Sequence, residues 1–277
     1  MTQPTAPCAS VSTWSLHRAL GVTFIDKPAD GSRTRTETYG PGSLTLLEIP
    51  ARLAEMGIHT MEICHFQLPS RDAGYLGELR GAIADANVKL LSVLIDDGDI
   101  THPEHHARDL NWIGGWIETA GLLGAERARV IAGKADYSEA ALAQSRAGLQ
   151  TLAAQAQGHG VRVTTENWFA LLACPESVLS LLDSLEGAVG LNLDFGNWGG
   201  ATKYDDLAKI FPRAETCHAK CAFTASNTPD ADDFHRCLDL GKSAGFAGPL
   251  TLIYDSPGDD EWACLAIEQE LIAPYLA

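Results

Sequence analysis

Short runs of apolar and β-branched residues alternate with longer amphipathic segments along the chain. The short runs predict strands, because they have the length and composition of buried β-structure; they occupy residues 9–15, 59–65, 89–95, 127–133, 161–167, 188–194, 214–220 and 249–255. The longer segments predict helices, and several of them end in Gly or Asn, as helix C-termini prefer; examples are residues 43–57, 71–87, 103–124 and 138–160. Eight such units predict an α/β fold, a (β/α)₈ TIM barrel that forms one domain over residues 1–277. A doubly wound open sheet is the alternative.

One segment interrupts this alternation. Residues 24–42 are polar and rich in Gly and Pro, and they carry Lys27, Arg33 and Arg35. We therefore predict a long loop between the first strand and the first helix. In a barrel that loop lies over the mouth, where active sites are built. The alternative is a solvated surface excursion.

Composition narrows the classes of partner. The chain has 20 Lys and Arg against 36 Asp and Glu, a net charge of −16. This balance disfavours nucleic acid and anionic lipid, which are bound by basic surfaces, and favours a small-molecule partner. The seven cysteines are odd in number and scattered, which is typical of a reduced protein and predicts a cytoplasmic location. No apolar run approaches the roughly 20 residues of a membrane span.

Candidate chemistry lies at the ends of the later strands. Glu166, Asp194 and His218 are each preceded, two residues earlier, by a small polar residue that shares their face of the strand. The last strand repeats the pattern with Thr251 and then Ile253. If the strands are in one register, two carboxylates and an imidazole converge at the barrel mouth, a set that suits Mn²⁺, Mg²⁺, Co²⁺ or Zn²⁺. Alternatively, each is a capped or paired strand-end group.

These elements together resemble the xylose isomerase-like TIM barrels of the sugar phosphate isomerase/epimerase type. The strongest matches are Glu166 followed by Asn167, the LD-x-G-N element with Asp194 and Asn197, and the H-x-K element with His218 and Lys220. The resemblance covers almost the whole chain. It implies one divalent metal, bound by Glu, Asp, His and a second Glu from the last strand, and a carbohydrate substrate. Family members often pair, so a homo-oligomer is possible.

The last strand departs from that family pattern. Residues 249–255 read PLTLIYD, which places Ile253 where the second Glu would stand. At most three of the four family ligands are kept, so we expect metal to be bound weakly or not at all. Epimerases of the family use both carboxylates as bases on opposite faces of the sugar carbon, so that mechanism is not supported. Asp255 lies roughly 6.5 Å further along an extended strand, level with Lys220, and we predict an ion pair between the two.

The remaining candidates complete a predicted pocket. Glu166 is the expected base as well as a ligand, and Lys220 or His65 the second acid or base. The expected substrate-binding residues are Trp14, His17, Asn167, Trp168, Asn197 and Asp255. Six cationic residues could meet a substrate phosphate: Lys27, Arg33, Arg35, Lys134, Lys203 and Lys220.

Together these features predict an isomerase-like enzyme that removes a proton next to a carbonyl group of a sugar. One alternative is a keto-sugar dehydratase or eliminase, since such reactions need a base on one face only. Another is a non-catalytic barrel that binds a carbohydrate or a partner subunit. An AP endonuclease of the same superfamily is disfavoured, because Asn197 replaces the His of the D-x-x-H element and the chain is acidic.

Overall fold

Eight parallel strands close into a barrel in the computed structural model, which describes residues 6–225, 227–256, 258 and 260–276. All eight strands predicted from the sequence are present, with ends that differ by up to three residues. They are β1 (Ala9–Ser12), β2 (Thr60–Cys64), β3 (Lys89–Ile95), β4 (Arg127–Val130), β5 (Arg162–Glu166), β6 (Gly190–Asp194), β7 (Ala214–Cys221) and β8 (Leu250–Tyr254). Each pairs with its neighbour in chain order, and β8 pairs with β1, so the fold is the predicted (β/α)₈ barrel.

Helices follow the strands and pack around the barrel. They are α1 (His17–Leu20), α2 (Ile49–Glu55), α3 (Ala73–Asp85), α4 (His106–Leu123), α5 (Glu139–Gln157), α6 (Pro175–Ser184), α7 (Lys203–Ile210), α8 (Ala231–Ser243) and α9 (Glu261–Ile272). Capping residues in the sequence determine where several of these helices begin or end. Ser138 caps α5 by accepting a hydrogen bond from the amide of Ala141, and α4 ends at Gly124 in the left-handed conformation. Apolar side chains between the helices and the outer face of the strands form the core.

The segment predicted as a long loop contains a β-hairpin. Strands Thr23–Asp26 and Arg33–Thr36 pair antiparallel, and we call them the mouth hairpin. The sequence prediction missed it because strands of four residues are too short to show a clear alternation, whereas the turn is well defined: the side chain of Asp30 accepts a hydrogen bond from the amide of Ser32, and Gly31 has φ of 65°. The hairpin lies at the barrel mouth, as predicted for this segment.

The predicted register of the last four strands is only partly correct. Asp194 is the direct partner of His218, as expected. Glu166, however, pairs with Asn192, and His218 pairs with Thr251, which leaves Ile253 beside Lys220. The reason is the stagger of tilted strands in a closed barrel, where residues at one height are not direct partners at every boundary. The predicted inward faces are nevertheless correct, because stagger by two residues preserves them.

Two further features bear on the sequence predictions. All seven cysteines lie in the described part of the chain and are free. No helix within the described ranges has the length and apolar character needed to cross a membrane.

Candidate functional site

Three potential metal ligands converge in the upper part of the barrel. Glu166, Asp194 and His218 come from β5, β6 and β7, all three are buried, and one ligand atom from each lies within 4.8 Å of the others. His218 Nδ1 is 3.4 Å from Glu166 Oε2 and 3.6 Å from Asp194 Oδ2. Among the described residues this is the one cluster of three or more His, Cys, Asp or Glu side chains at ligand spacing. The structure therefore brings together the three residues predicted as ligands.

A third carboxylate orients the imidazole of His218. Glu62 on β2 is fully buried, and its Oε2 lies 2.8 Å from His218 Nε2 across the barrel. Burial alone would lower the pKa of His218, but the carboxylates of Glu62 and Glu166 raise it to about 10. The contact to Nε2 leaves Nδ1 facing the other two ligands. Sequence reasoning missed Glu62, although a charged residue inside the apolar run HTMEICH was the available signal.

Three asparagines hold the two carboxylate ligands in place. Asn192 Nδ2 donates to Glu166 Oε2 at 2.9 Å, and Asn197 Nδ2 donates to Glu166 Oε1 at 2.7 Å. Asn167 is fully buried; its amide donates to the carbonyl of Asp194 at 3.1 Å and accepts from the amide of Asp194 at 2.8 Å. Both ends of the Asn167 side chain are thus used on the backbone of Asp194. These contacts make Asn167 a positioning residue for Asp194.

An arginine that the sequence prediction did not consider adjoins the same cluster. Arg129 on β4 is 3 % exposed, and its Nε lies 3.2 Å from Glu166 Oε2. Its Nη2 donates to Asp96 at the end of β3, and the guanidinium lies over the ring of Trp168. Burial alone would raise the pKa of Asp96, but the charge of Arg129 lowers it well below the ordinary value. A fixed cation therefore contacts the same oxygen of Glu166 that faces His218.

The cluster opens into two cavities that share a boundary. The inner cavity has a volume of about 50 Å³ and is lined by the three ligands together with Arg129, Asn197, Lys220 and Ile253. The outer cavity, which we call the vestibule, has a volume of about 390 Å³ and extends to the mouth hairpin. Trp14, Asp96 and Trp168 line both cavities. The inner volume holds on the order of three or four water molecules, whereas the vestibule is in the range of small-molecule sites.

Lys220 and Asp255 form the predicted ion pair. Lys220 Nζ is 2.7 Å from Asp255 Oδ2, although Lys220 is the strand partner of Ile253. Asp255 therefore lies two residues beyond Lys220 along the barrel, and the long lysine side chain spans this distance. Burial alone would lower the pKa of Lys220, but its hydrogen bond to Asp255 raises it above the ordinary value. Lys220 lines the inner cavity and Asp255 the vestibule.

The histidines predicted to touch substrate lie higher, in the vestibule. His65 does not line the inner cavity with Glu166; its Nδ1 accepts a hydrogen bond from the amide of Asp96 at 3.1 Å. The ring of His17 stacks on Tyr39 at 4.8 Å between centroids. Burial lowers the pKa of His17 to about 4, so it is neutral near pH 7.

Two tryptophans stand at the junction of the cavities. The indole Nε1 of Trp14 is buried and has no hydrogen-bond partner among the described residues. Trp168 lies against Phe169, with 4.3 Å between ring centroids. Phe169 has φ of 60°, a left-handed conformation that costs a non-glycine residue on the order of 1–3 kcal/mol. Trp168, the residue before it, lines both cavities.

The donor atoms fit a divalent metal, with one position of the family pattern unfilled. Two carboxylate oxygens and an imidazole nitrogen suit Mn²⁺, Mg²⁺, Co²⁺ or Zn²⁺ alike. Ile253 lines the same cavity and offers no ligand atom. We find that the residues present fit a three-ligand site whose remaining coordination positions would be open to water or substrate, as in catalytic metal sites.

Comparison with known proteins identifies the family. The sequence profile of the xylose isomerase-like TIM barrel matches residues 50–268, and the chain belongs to that family. No curated protein matches the chain at a significant level.

Solved structures share the fold at low sequence identity. A xylose isomerase-like TIM barrel protein from Mycobacterium smegmatis in complex with magnesium is 17 % identical, with all of both chains covered and a TM-score of 0.69. An L-ribulose 3-epimerase is 16 % identical over 98 % of this chain and 94 % of its own, with a TM-score of 0.71. A 3-keto-D-glucoside 4-epimerase from E. coli is 15 % identical over 83 % and 94 %, with a TM-score of 0.67. At these identities the likeness establishes the barrel alone.

Proposed function

We propose that this protein is a sugar isomerase-like enzyme that removes a proton from the carbon next to a carbonyl group. The observation that carries the proposal is the convergence of Glu166, Asp194 and His218 beside Lys220 in one buried cavity. Membership of the xylose isomerase-like family and the sugar epimerases among the structural neighbours support a carbohydrate substrate. The cytoplasmic location and the possible homo-oligomer stay predictions from the sequence.

The chain's own residues suffice to outline the reaction. Glu166 is the base. Its Oε1 can take the proton, because Asn197 holds that oxygen at the cavity while Oε2 is already contacted by Asn192, Arg129 and His218. Lys220 is the acid that protonates the substrate oxygen. A divalent ion held by Glu166, Asp194 and His218 would polarise the carbonyl and stabilise the charge that develops on its oxygen.

Ile253 favours a reaction on one face of the sugar carbon. An epimerase of this family requires a second carboxylate opposite Glu166, and an apolar side chain lines the cavity instead. Isomerisation uses the same base to remove and return the proton. Elimination of water from a keto-sugar is the second candidate, because Lys220, held by Asp255, can protonate a departing hydroxyl group. A non-catalytic carbohydrate-binding or partner-subunit barrel is the remaining alternative. It does not explain why three potential metal ligands converge in a buried cavity.

Proton exchange with solvent tests the proposal. The protein, loaded with Mg²⁺ or Mn²⁺, is incubated with a panel of ketoses and aldoses in deuterium oxide, and deuterium at the carbon next to the carbonyl is followed by NMR after removal of the metal. We expect incorporation with at least one sugar, and its loss in Glu166→Gln. The matched control is Glu176→Gln, an exposed position at the start of α6. No exchange with any sugar, or exchange that persists in Glu166→Gln, would refute the assignment.

A further inference from the structure

None of the six cationic side chains that could meet a substrate phosphate lines the vestibule, and most of them are already paired with an acidic group. Four of the six candidates form ion pairs at 2.7–2.9 Å: Arg35 with Glu37, Lys134 with Asp97, Lys203 with Asp233, and Lys220 with Asp255. Arg33 donates to the carbonyl of Leu68 and lies over the ring of Trp116, so it anchors the mouth hairpin. Lys27 is exposed on the hairpin turn and does not line the vestibule.

The vestibule itself is acidic. Four carboxylates line it, and within the described part of the chain its lining contains no lysine or arginine; the four are Asp26, Asp96, Asp97 and Asp255. Its two histidines do not change this balance. His17 is neutral near pH 7 because burial lowers its pKa to about 4, and His65 accepts a hydrogen bond through Nδ1. Each of the four is paired with a cation that lies outside the lining: Asp26 with Arg71, Asp96 with Arg129, Asp97 with Lys134 and Asp255 with Lys220. A phosphate dianion in this space would therefore meet the acidic partner of each pair and would have to compete with it for the cation, which is unfavourable.

The same walls suit an uncharged, hydroxylated ligand. Carboxylates accept hydrogen bonds from hydroxyl groups, and the buried Nε1 of Trp14 is an unused donor at the junction with the inner cavity. Aromatic rings from four separate segments complete the walls and offer flat apolar faces; they belong to Trp14, Tyr39, Phe66 and Trp168. The small inner cavity admits only the reacting end of a sugar, so the rest of the molecule must lie in the vestibule.

We propose that the vestibule receives the uncharged, polyhydroxylated part of the substrate, and that the substrate is therefore an unphosphorylated sugar or sugar derivative. The inference rests on the proposed function, because it concerns the part of the same substrate that lies outside the inner cavity. It excludes the phosphate esters that the cationic residues of the sequence would suggest.

Binding of matched pairs tests the inference directly. D-Fructose, D-xylulose and D-ribulose are each compared with their terminal phosphate ester by titration calorimetry in Mg²⁺ buffer. We expect at least one free sugar to bind, and its ester to bind about tenfold more weakly or not at all. An ester that binds as tightly as its free sugar would overturn the inference, and so would the absence of binding by all three free sugars.

A charge introduced into the vestibule wall provides a second test. Ile25 lies on the mouth hairpin, is 43 % exposed and lines the vestibule, so Ile25→Lys adds a cation without breaking an ion pair. We expect this variant to bind the esters about tenfold more tightly than wild type, with little change for free sugars. The matched control is Ala29→Lys on the exposed hairpin turn, which does not line the vestibule and should change neither. Equal effects of the two variants would contradict the assignment.

The two proposals fail in different ways. If the protein binds free sugars but exchanges no proton, the vestibule assignment stands and the proposed function is wrong. If the protein exchanges protons only with phosphate esters, the proposed function stands and the vestibule assignment is wrong.

Discussion

The guanidinium of Arg129 lies against the carboxylate of Glu166, with Nε 3.2 Å from Oε2, the oxygen that also faces His218. Arg129 therefore places a permanent positive charge beside a predicted metal ligand, on the strand next to it in the barrel. Opposite charges at this distance attract, so the carboxylate is stabilised without an ion, whereas an incoming divalent cation meets repulsion. Together with Ile253, this contact predicts a metal centre of low affinity.

Removal of the Arg129 charge should strengthen metal binding. Arg129→Met alone leaves Asp96 buried and unpaired, so we expect it to lower the free energy of unfolding by about 3–5 kcal/mol. The double variant Asp96→Asn, Arg129→Met removes both charges, recovers much of that loss, and should bind Mn²⁺ about tenfold more tightly than wild type. Calorimetry with Mn²⁺ and urea unfolding measure the two effects.

Arg162 provides the control for this change. It pairs with Glu215 near the opposite end of the barrel and is partly exposed, so Arg162→Met should leave Mn²⁺ affinity unchanged. An unaltered or weaker Mn²⁺ affinity in the double variant would mean that Arg129 does not oppose metal binding.

A carboxylate at position 253 should complete the ligand set. Ile253 lines the inner cavity beside the three ligands, and Ile253→Glu adds a fourth oxygen donor. We expect its Mn²⁺ affinity to rise at least about tenfold, together with a larger gain in melting temperature on addition of Mn²⁺. Ile253→Gln, which has the same shape without the charge, is the matched control. Because Ile253 is the strand partner of Lys220, a new carboxylate paired with Lys220 would instead leave metal affinity unchanged and refute this placement.

Loss of the Glu62 carboxylate should lower the affinity for metal, because Glu62 orients the imidazole of His218. Glu62 Oε2 contacts His218 Nε2 at 2.8 Å and leaves Nδ1 free for a metal. Partners of this kind typically contribute 10–100-fold to metal affinity, so we expect Glu62→Gln to bind Mn²⁺ roughly 10–100-fold more weakly. Circular dichroism must show that the variant is folded, since Glu62 is fully buried. Glu78→Gln on α3, on the outside of the barrel, is the control and should bind Mn²⁺ as wild type does. A folded Glu62→Gln with unchanged affinity would contradict the role.

The sequence predicts the fold and the convergence of the three candidate ligands because both depend on local periodicity. Strand length, helix ends and the alternation of side chains are set by neighbours in the chain. Inward faces follow from parity alone, which is why Glu166, Asp194 and His218 were found although two of the three strand registers were not.

Other parts of the site depend on closure of the barrel, which no local pattern encodes. Glu62 meets His218 across the barrel interior, from strands 156 positions apart in sequence. Arg129 was not singled out because an arginine in a strand ordinarily reaches solvent, and only the folded barrel shows that Asp96 and Glu166 hold it inside. The mouth hairpin was also missed, since strands of only four residues are too short to show a clear alternation of apolar and polar positions.

Glu268 on α9 makes stability depend on pH. Its carboxylate is fully buried, and neither oxygen has a hydrogen-bond partner among the described residues. Burial raises its pKa well above the ordinary value of 4.5, so the folded protein keeps a proton that the unfolded chain loses as pH rises. The protonated carboxyl contributes its full share to stability below pH 4.5. Above pH 4.5 the free energy of unfolding falls by about 1.4 kcal/mol per pH unit, until the pKa of Glu268 in the folded protein is reached.

Glu268→Gln does not titrate and should remove this slope. The free energy of unfolding of the variant, measured by urea unfolding, should therefore rise relative to that of wild type between pH 5 and pH 8. Glu270→Gln, exposed on the same helix, should follow wild type. If wild type and Glu268→Gln keep a constant difference over that range, Glu268 is not protonated in the folded protein.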